Sequence, residues 1–224
     1  MTQAADRETL LAHAEQTKAS RHSPPAERAG SVLALICSRD SSRGRFACTG
    51  TLASGAYHKV VVPDGATCDG TAARVSVRGG IRVGEGSTFV LGSEELGADT
   101  GTIRGGIVAK ASASLQVHFA HVSGGVRMYG GNGFFSTVED SIIRGGARIT
   151  GYSGFWLGFI RNTVHGSVKL SNNIMDDPDA NEYVTNTIKG NLVCHGNSPA
   201  PHVGDSEGLP NVVSGRKVDQ CARL

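Results

Sequence analysis

Nine basic residues recur at fixed offsets from a small-residue pair. Arg78, Arg104, Arg144, His165 and Lys189 each stand immediately before a glycine and two residues before the second member of the pair, while Arg82, Arg127, Arg148 and Lys169 stand two residues after it. Guanidinium and ammonium groups repeated at regular intervals suit an oxyanion ligand: carboxylates, sulfates or phosphates spaced along a polymer, gripped bidentately where the arginine fork permits. His165 adds an imidazole that could trade protons near neutrality. If the pairs stack in register, neighbouring cations about 5 Å apart repel by roughly 0.8 kcal/mol per pair at the dielectric of water. Screening makes that tolerable, so an ordinary solvated face is the competing reading.

Other candidate chemistry is sparser. Glu139 and Asp140 fall in one repeat, and Asp176, Asp177, Asp179 and Glu182 crowd an insertion after Leu170. Such an acidic loop could take Ca²⁺, but Asp, Asn and Pro are ordinary loop residues, and no metal site is assigned. No acidic pair recurs on neighbouring repeats as a two-carboxylate glycosidase would need. His118 and His121 flank Phe119 on opposite or different faces, which argues against a shared metal. Phe155, Trp156 and Phe159, with Phe134 and Phe135 one repeat earlier, are read as rings stacked inside the fold; an exposed platform for sugar rings is the alternative. Gly130-Gly131-Asn132-Gly133 is too loose for a phosphate loop, no serine elbow or Cys-His signature occurs, and no cofactor is implied.

What must position the basic residues is the repeat itself. Val77-Arg78-Gly79-Gly80-Ile81-Arg82-Val83 returns as Ile103 to Ala109, Val122 to Met128, Ile143 to Ile149, Val164 to Leu170 and Ile188 to Cys194, with a degraded copy from Val213. The second small residue falls at 80, 106, 125, 146, 167, 191 and 216, in steps of 26, 19, 21, 21, 24 and 25. Units this short cannot bury an apolar side alone, whereas stacked copies bury a continuous interior. Apolar residues alternate with polar ones around each pair, which fits strands. The expected fold is therefore all-β: a single-stranded right-handed parallel β-helix, or β-solenoid, of about seven rungs over residues 44–224. Asn162, Asn186 and Asn211 share one position and should form a hydrogen-bonded ladder at a corner.

Composition agrees. Glycine accounts for 31 of 224 residues and aromatics for only 5%, which disfavours a helical bundle. No apolar run is long enough to span a bilayer. A net charge of +2, without aromatics interleaved among the bases, argues against nucleic acid as a partner. Residues 1–43 form a distinct appendage, expected to be a short helix or disordered, with no recognisable signal peptide. Of the five cysteines, Cys48 and Cys68 bracket about one repeat and Cys194 and Cys221 another, which suggests two disulfides with Cys37 left over. Five reduced, buried thiols in a cytosolic protein is the alternative.

The chain resembles the right-handed parallel β-helix proteins of the broad pectate-lyase-like type. The likeness is closest to a group of uncharacterised actinobacterial proteins, through Cys48-Thr49-Gly50-Thr51, Val60-Val61-Val62-Pro63-Asp64-Gly65-Ala66-Thr67-Cys68, Gly190-Asn191-Leu192-Val193-Cys194, Gly196-Asn197-Ser198-Pro199-Ala200-Pro201 and Gln220-Cys221. It covers residues 44–224 and implies a fold, but no activity. Members of the group look secreted, so the resemblance and the paired cysteines suggest an extracytoplasmic protein, while the lack of a signal peptide suggests a cytoplasmic one. The leading functional expectation is a non-catalytic binding or structural module whose basic stripe holds an acidic polysaccharide or other polyanion. A small β-helix enzyme of the polysaccharide-lyase type and a scaffold self-assembling by end or face stacking are the alternatives.

Overall fold

The computed structural model describes residues 39–40, 44–203 and 208–224. The expected helical or disordered appendage and Cys37 therefore lie, apart from residues 39–40, outside the described residues before Gly44. From there the chain winds as a parallel β-solenoid of about eight turns, with three sheets of ten, six and eight strands. Each turn runs through the first sheet (for example Ile107–Lys110), the second (Ser114–His118) and the third (Ala120–Val122), then through a small-residue corner back to the first. Every pairing between turns is parallel, except that Arg39–Asp40 adds antiparallel to Arg45–Ala47 at the first end.

Alternation within the strands produces the core. In the first sheet Ile81, Ile107, Val126, Ala147, Val168 and Leu192 stand in register and are buried, as are Val83, Ala109, Met128, Ile149, Leu170 and Cys194 two residues on. Strands this short bury little apolar area singly, but each rung closes the interior of the next, so the apolar column is continuous. The motif marks seven turns, and the additional one lies at the first end. There His58 and Lys59 occupy the positions held elsewhere by the small pair, so the repeat does not announce itself. The longer steps place their extra residues between the second and third sheets, at 92–100, 176–186 and, of the described residues, 199–203 and 208–211.

Polar ladders fix two of the corners. Asn162 Nδ2 donates to Asn186 Oδ1 at 3.1 Å and Asn186 Nδ2 to Asn211 Oδ1 at 2.8 Å, while each Oδ1 also accepts the backbone N–H of the turn before. These amides are buried, and each Nδ2 reaches a carbonyl as well, so the ladder satisfies groups that the corner would otherwise orphan. A second ladder, Asn173–Asn197–Gln220, does the same between the first and second sheets. Disulfides staple both ends: Cys48–Cys68, with Cα atoms 5.3 Å apart, and Cys194–Cys221, 5.2 Å apart. The chain closes in a 3₁₀ turn, Gln220–Arg223, with Cys221 and Leu224 buried.

Candidate functional site

Stacking turns the sequence offsets into geometry. In the first sheet Arg82, Val108, Arg127, Arg148, Lys169 and Val193 are partners from turn to turn, forming one column. The third-sheet strands pair through Val77, Ile103, Val122, Ile143, Val164 and Ile188, so the residues that follow them, Arg78, Arg104, Ser123, Arg144, His165 and Lys189, form a second. All nine basic side chains are exposed. None pairs with a carboxylate among the described residues. Among the described residues the stripe makes one aromatic contact, at Arg148, whose guanidinium carbon lies 5.8 Å from the centre of the Tyr129 ring.

The corner between the columns is built for close stacking. A Cβ placed on Gly125 would lie 2.6 Å from the carbonyl oxygen of Gly146, and one on Gly106 would lie 2.6 Å from that of Gly125. Glycine is required here by the approach of the next turn, and its secondary effect is a strip with almost no side chains between two basic walls.

Each column has one internal break, the first-sheet column ending besides at Val193, and a surface hollow lies at each internal break. Ser123 interrupts the column between Arg104 and Arg144, where a hollow of about 460 Å³ also reaches Thr102, His121 and Ile142. Val108 interrupts the other between Arg82 and Arg127; its hollow, about 480 Å³, includes Arg82 and Lys110 but also Asp64 and Glu85.

A second group of charges sits at the other end of the third-sheet strands. Phe119, Asp140, Arg161 and Thr185 each take positive φ, between 50° and 58°, at the corner joining the second and third sheets. Arg161 holds Asp140 of the preceding turn bidentately at 2.8 and 2.9 Å, Glu139 at 3.1 Å and Glu94 of the 92–100 loop at 2.6 Å. Glu139 is buried, takes a 2.5 Å hydrogen bond from Thr137 Oγ1 and lies 3.7 Å from His118 Nδ1. Burial pushes the His118 imidazole below its ordinary value and the Glu139 carboxyl above its own, the latter opposed by Thr137 and Arg161. The three carboxylates around one guanidinium raise Arg161 further, its bond to Asp140 contributing most. This arrangement ties the 92–100 loop across later turns. His118 and Glu139 are direct partners one turn apart, and Asp140 and Arg161 are likewise 21 residues apart, so register alone could have found both pairs. Nothing local announces Glu94.

The remaining candidates separate. His118 is 6% exposed and His121 lies outside, so the two face different ways. In the acidic insertion Asp177 accepts the Asp179 N–H, and Glu182 is buried and accepts the Trp156 indole N–H at 3.1 Å. Among the described residues no three His, Cys, Asp or Glu side chains are arranged to hold a metal ion; the three carboxylates that do converge surround the Arg161 guanidinium. The aromatics do stack, Phe134 on Phe155 and Phe135 on Trp156, both with ring centres 4.6 Å apart; the first pair lies on the surface, while the second is half-buried with Trp156 packed against the core. Phe134 is 67% and Phe155 37% exposed, whereas Phe159 is fully buried. The interior there belongs to Tyr152, which is buried and packs so closely on Gly154 that a Cβ would lie 3.1 Å from its ring.

No family model matches the chain, and neither a curated protein nor a solved structure matches it. Its geometry defines a class: a parallel β-solenoid protein built on a repeat of about 20 residues, with two exposed in-register columns of cations flanking one corner.

Proposed function

We propose that this protein is a non-catalytic solenoid that holds an acidic polymer, such as an acidic polysaccharide, along its basic corner, in or near the cell envelope. The observation that carries the reading is the alignment of Arg78, Arg104, Arg144, His165 and Lys189 in one exposed column and Arg82, Arg127, Arg148 and Lys169 in another, without carboxylate partners among the described residues. Like charges one turn apart oppose folding, and a linear array of anionic groups would relieve that repulsion and match its axial repeat. Two disulfides support an oxidising compartment. Kinship with the pectate-lyase-like β-helices and their actinobacterial relatives is part of this reading, supported by the solenoid and by the cysteine and glycine segments. The test is retention on an immobilised polyuronate or sulfated polysaccharide. Retention should weaken with salt and with Arg104→Ala plus Arg148→Ala; unchanged retention in the double variant overturns the proposal.

A further inference from the structure

We propose that the break at Ser123 is the oxyanion-selective subsite of the stripe, the point at which one carboxylate or sulfate group of the bound chain is seated rather than merely attracted. This rests on the polyanion reading above and adds to it a location and a chemistry. A column of charge alone would be strongest where cations are adjacent, as at Arg127, Arg148 and Lys169. Seating a group also needs a concavity, and the column of Arg104 and Arg144 has its hollow where a serine replaces the cation.

The lining chemistry is one-sided. Arg104 and Arg144 flank the gap one turn to either side, about 9.5 Å apart along the solenoid by strand spacing, and neither is neutralised by a carboxylate among the described residues. The Ser123 and Thr102 hydroxyls and the His121 imidazole supply further donors, and no carboxylate lines the hollow. Two guanidinium forks with hydroxyl donors between them suit an oxyanion and repel a cation. Ile142, 37% exposed, gives one wall an apolar surface on which the CH face of a sugar ring could rest. The hollow at Val108 is the internal control: similar in size and likewise set at a column break, it carries Asp64 and Glu85 among its bases. Anions should therefore choose the Ser123 hollow over the Val108 hollow.

The experiment is Ser123→Arg, which restores the residue type found at the same register in Arg104 and Arg144 and so asks nothing new of the fold. Charge counting alone predicts tighter polymer binding. The subsite predicts the reverse, because the added side chain fills the seat. With sodium sulfate or galacturonate added at constant ionic strength, side-chain NMR of the wild type should show saturable shifts at Arg104, Arg144 and His121. In Ser123→Arg those shifts should be lost, and polymer affinity should fall at least tenfold. Comparing sulfate with galacturonate tells which oxyanion is preferred; saturation by either supports the seat. Non-saturable shifts in the wild type, or tighter polymer binding by Ser123→Arg, overturn the subsite and leave the stripe intact. The stripe itself falls only if Arg104→Ala plus Arg148→Ala leaves polymer retention unchanged, so the two failures are distinguishable.

Discussion

If the corner binds a linear polyanion by neutralising its charges, the salt dependence of affinity counts the cations in contact. A ligand segment spanning the four turns from Arg104 to Lys169 meets five permanent cations: Arg104, Arg127, Arg144, Arg148 and Lys169. With about 0.7 in the log–log slope for each neutralised charge on a single-stranded polyanion, five contacts give a slope of about −3.5, or roughly a hundredfold loss of affinity between 50 and 200 mM salt. Arg104→Ala plus Arg148→Ala should flatten the slope by about 1.4, leaving roughly a twentyfold loss over the same range. The assay is fluorescence anisotropy of a labelled polyuronate at a series of salt concentrations, with Arg223→Ala, on the C-terminal 3₁₀ turn, as an off-stripe control. Stability provides the cross-check. Arg148 has a like-charged neighbour on the turn to either side, a repulsion of roughly 0.8 kcal/mol each before screening, against about 0.5–1 kcal/mol for its contact with Tyr129. Arg148→Ala should therefore be no less stable than the wild type at low salt, so weaker binding cannot be ascribed to unfolding. An unchanged slope in the double variant, or an equal flattening in Arg223→Ala, refutes the reasoning.

Three further outcomes probe the scaffold. Asn186→Ala leaves the buried Asn162 N–H without its partner and removes three other bonds, so urea denaturation should show a loss of about 3 kcal/mol. Gly125→Ala drives a methyl group to 2.6 Å from the Gly146 carbonyl oxygen and should cost roughly 1–3 kcal/mol by the same measurement, whereas Ser167, two turns on at the same position, already carries a Cβ. The buried imidazole of His118 has a folded-state pKa below its unfolded one, so its neutral form contributes stability above about pH 6.5 that is lost as pH falls toward the lowered value. Replacing it in His118→Gln removes that loss, and the difference in unfolding free energy between wild type and variant should move in the variant's favour on acidification. No such movement would mean that His118 is protonated in the folded protein.

How much of this could be read from the sequence follows from what a solenoid does to distance. Residues one repeat apart become neighbours, so anything that recurs at the motif's own spacing is legible: the apolar columns, the bases beside the glycine pair, the ladder of Asn162, Asn186 and Asn211. The same rule applied at other offsets would have paired His118 with Glu139 and Asp140 with Arg161, because register is indifferent to residue type. It fails where the chain leaves the coil. Glu94 and Glu182 come from insertions whose path the repeat does not encode, yet they supply the partners of Arg161 and Trp156. It also fails where interior volume is contested. Alternation carries Phe134 inward with Ser136 and Val138, but Phe134 is exposed and the buried ring in this region is Tyr152, packed on Gly154.

Register also sets one serine apart in a chain rich in surface hydroxyls. An isolated polar residue in a loop has no reference against which to be unusual. Ser123 has one: the residues at its register on the adjacent turns are Arg104 and Arg144, and the small pair Gly124-Gly125 after it is intact, so the repeat has not decayed there. Changing the charged residue while keeping the corner leaves a space flanked by two guanidinium groups with no carboxylate partner among the described residues, and this column has its hollow there. Loss of a cation in a stripe that only attracted would weaken it locally. Loss of a cation where its neighbours can close over a ligand trades long-range attraction for a seat, and Ser123→Arg reverses that trade without disturbing the coil.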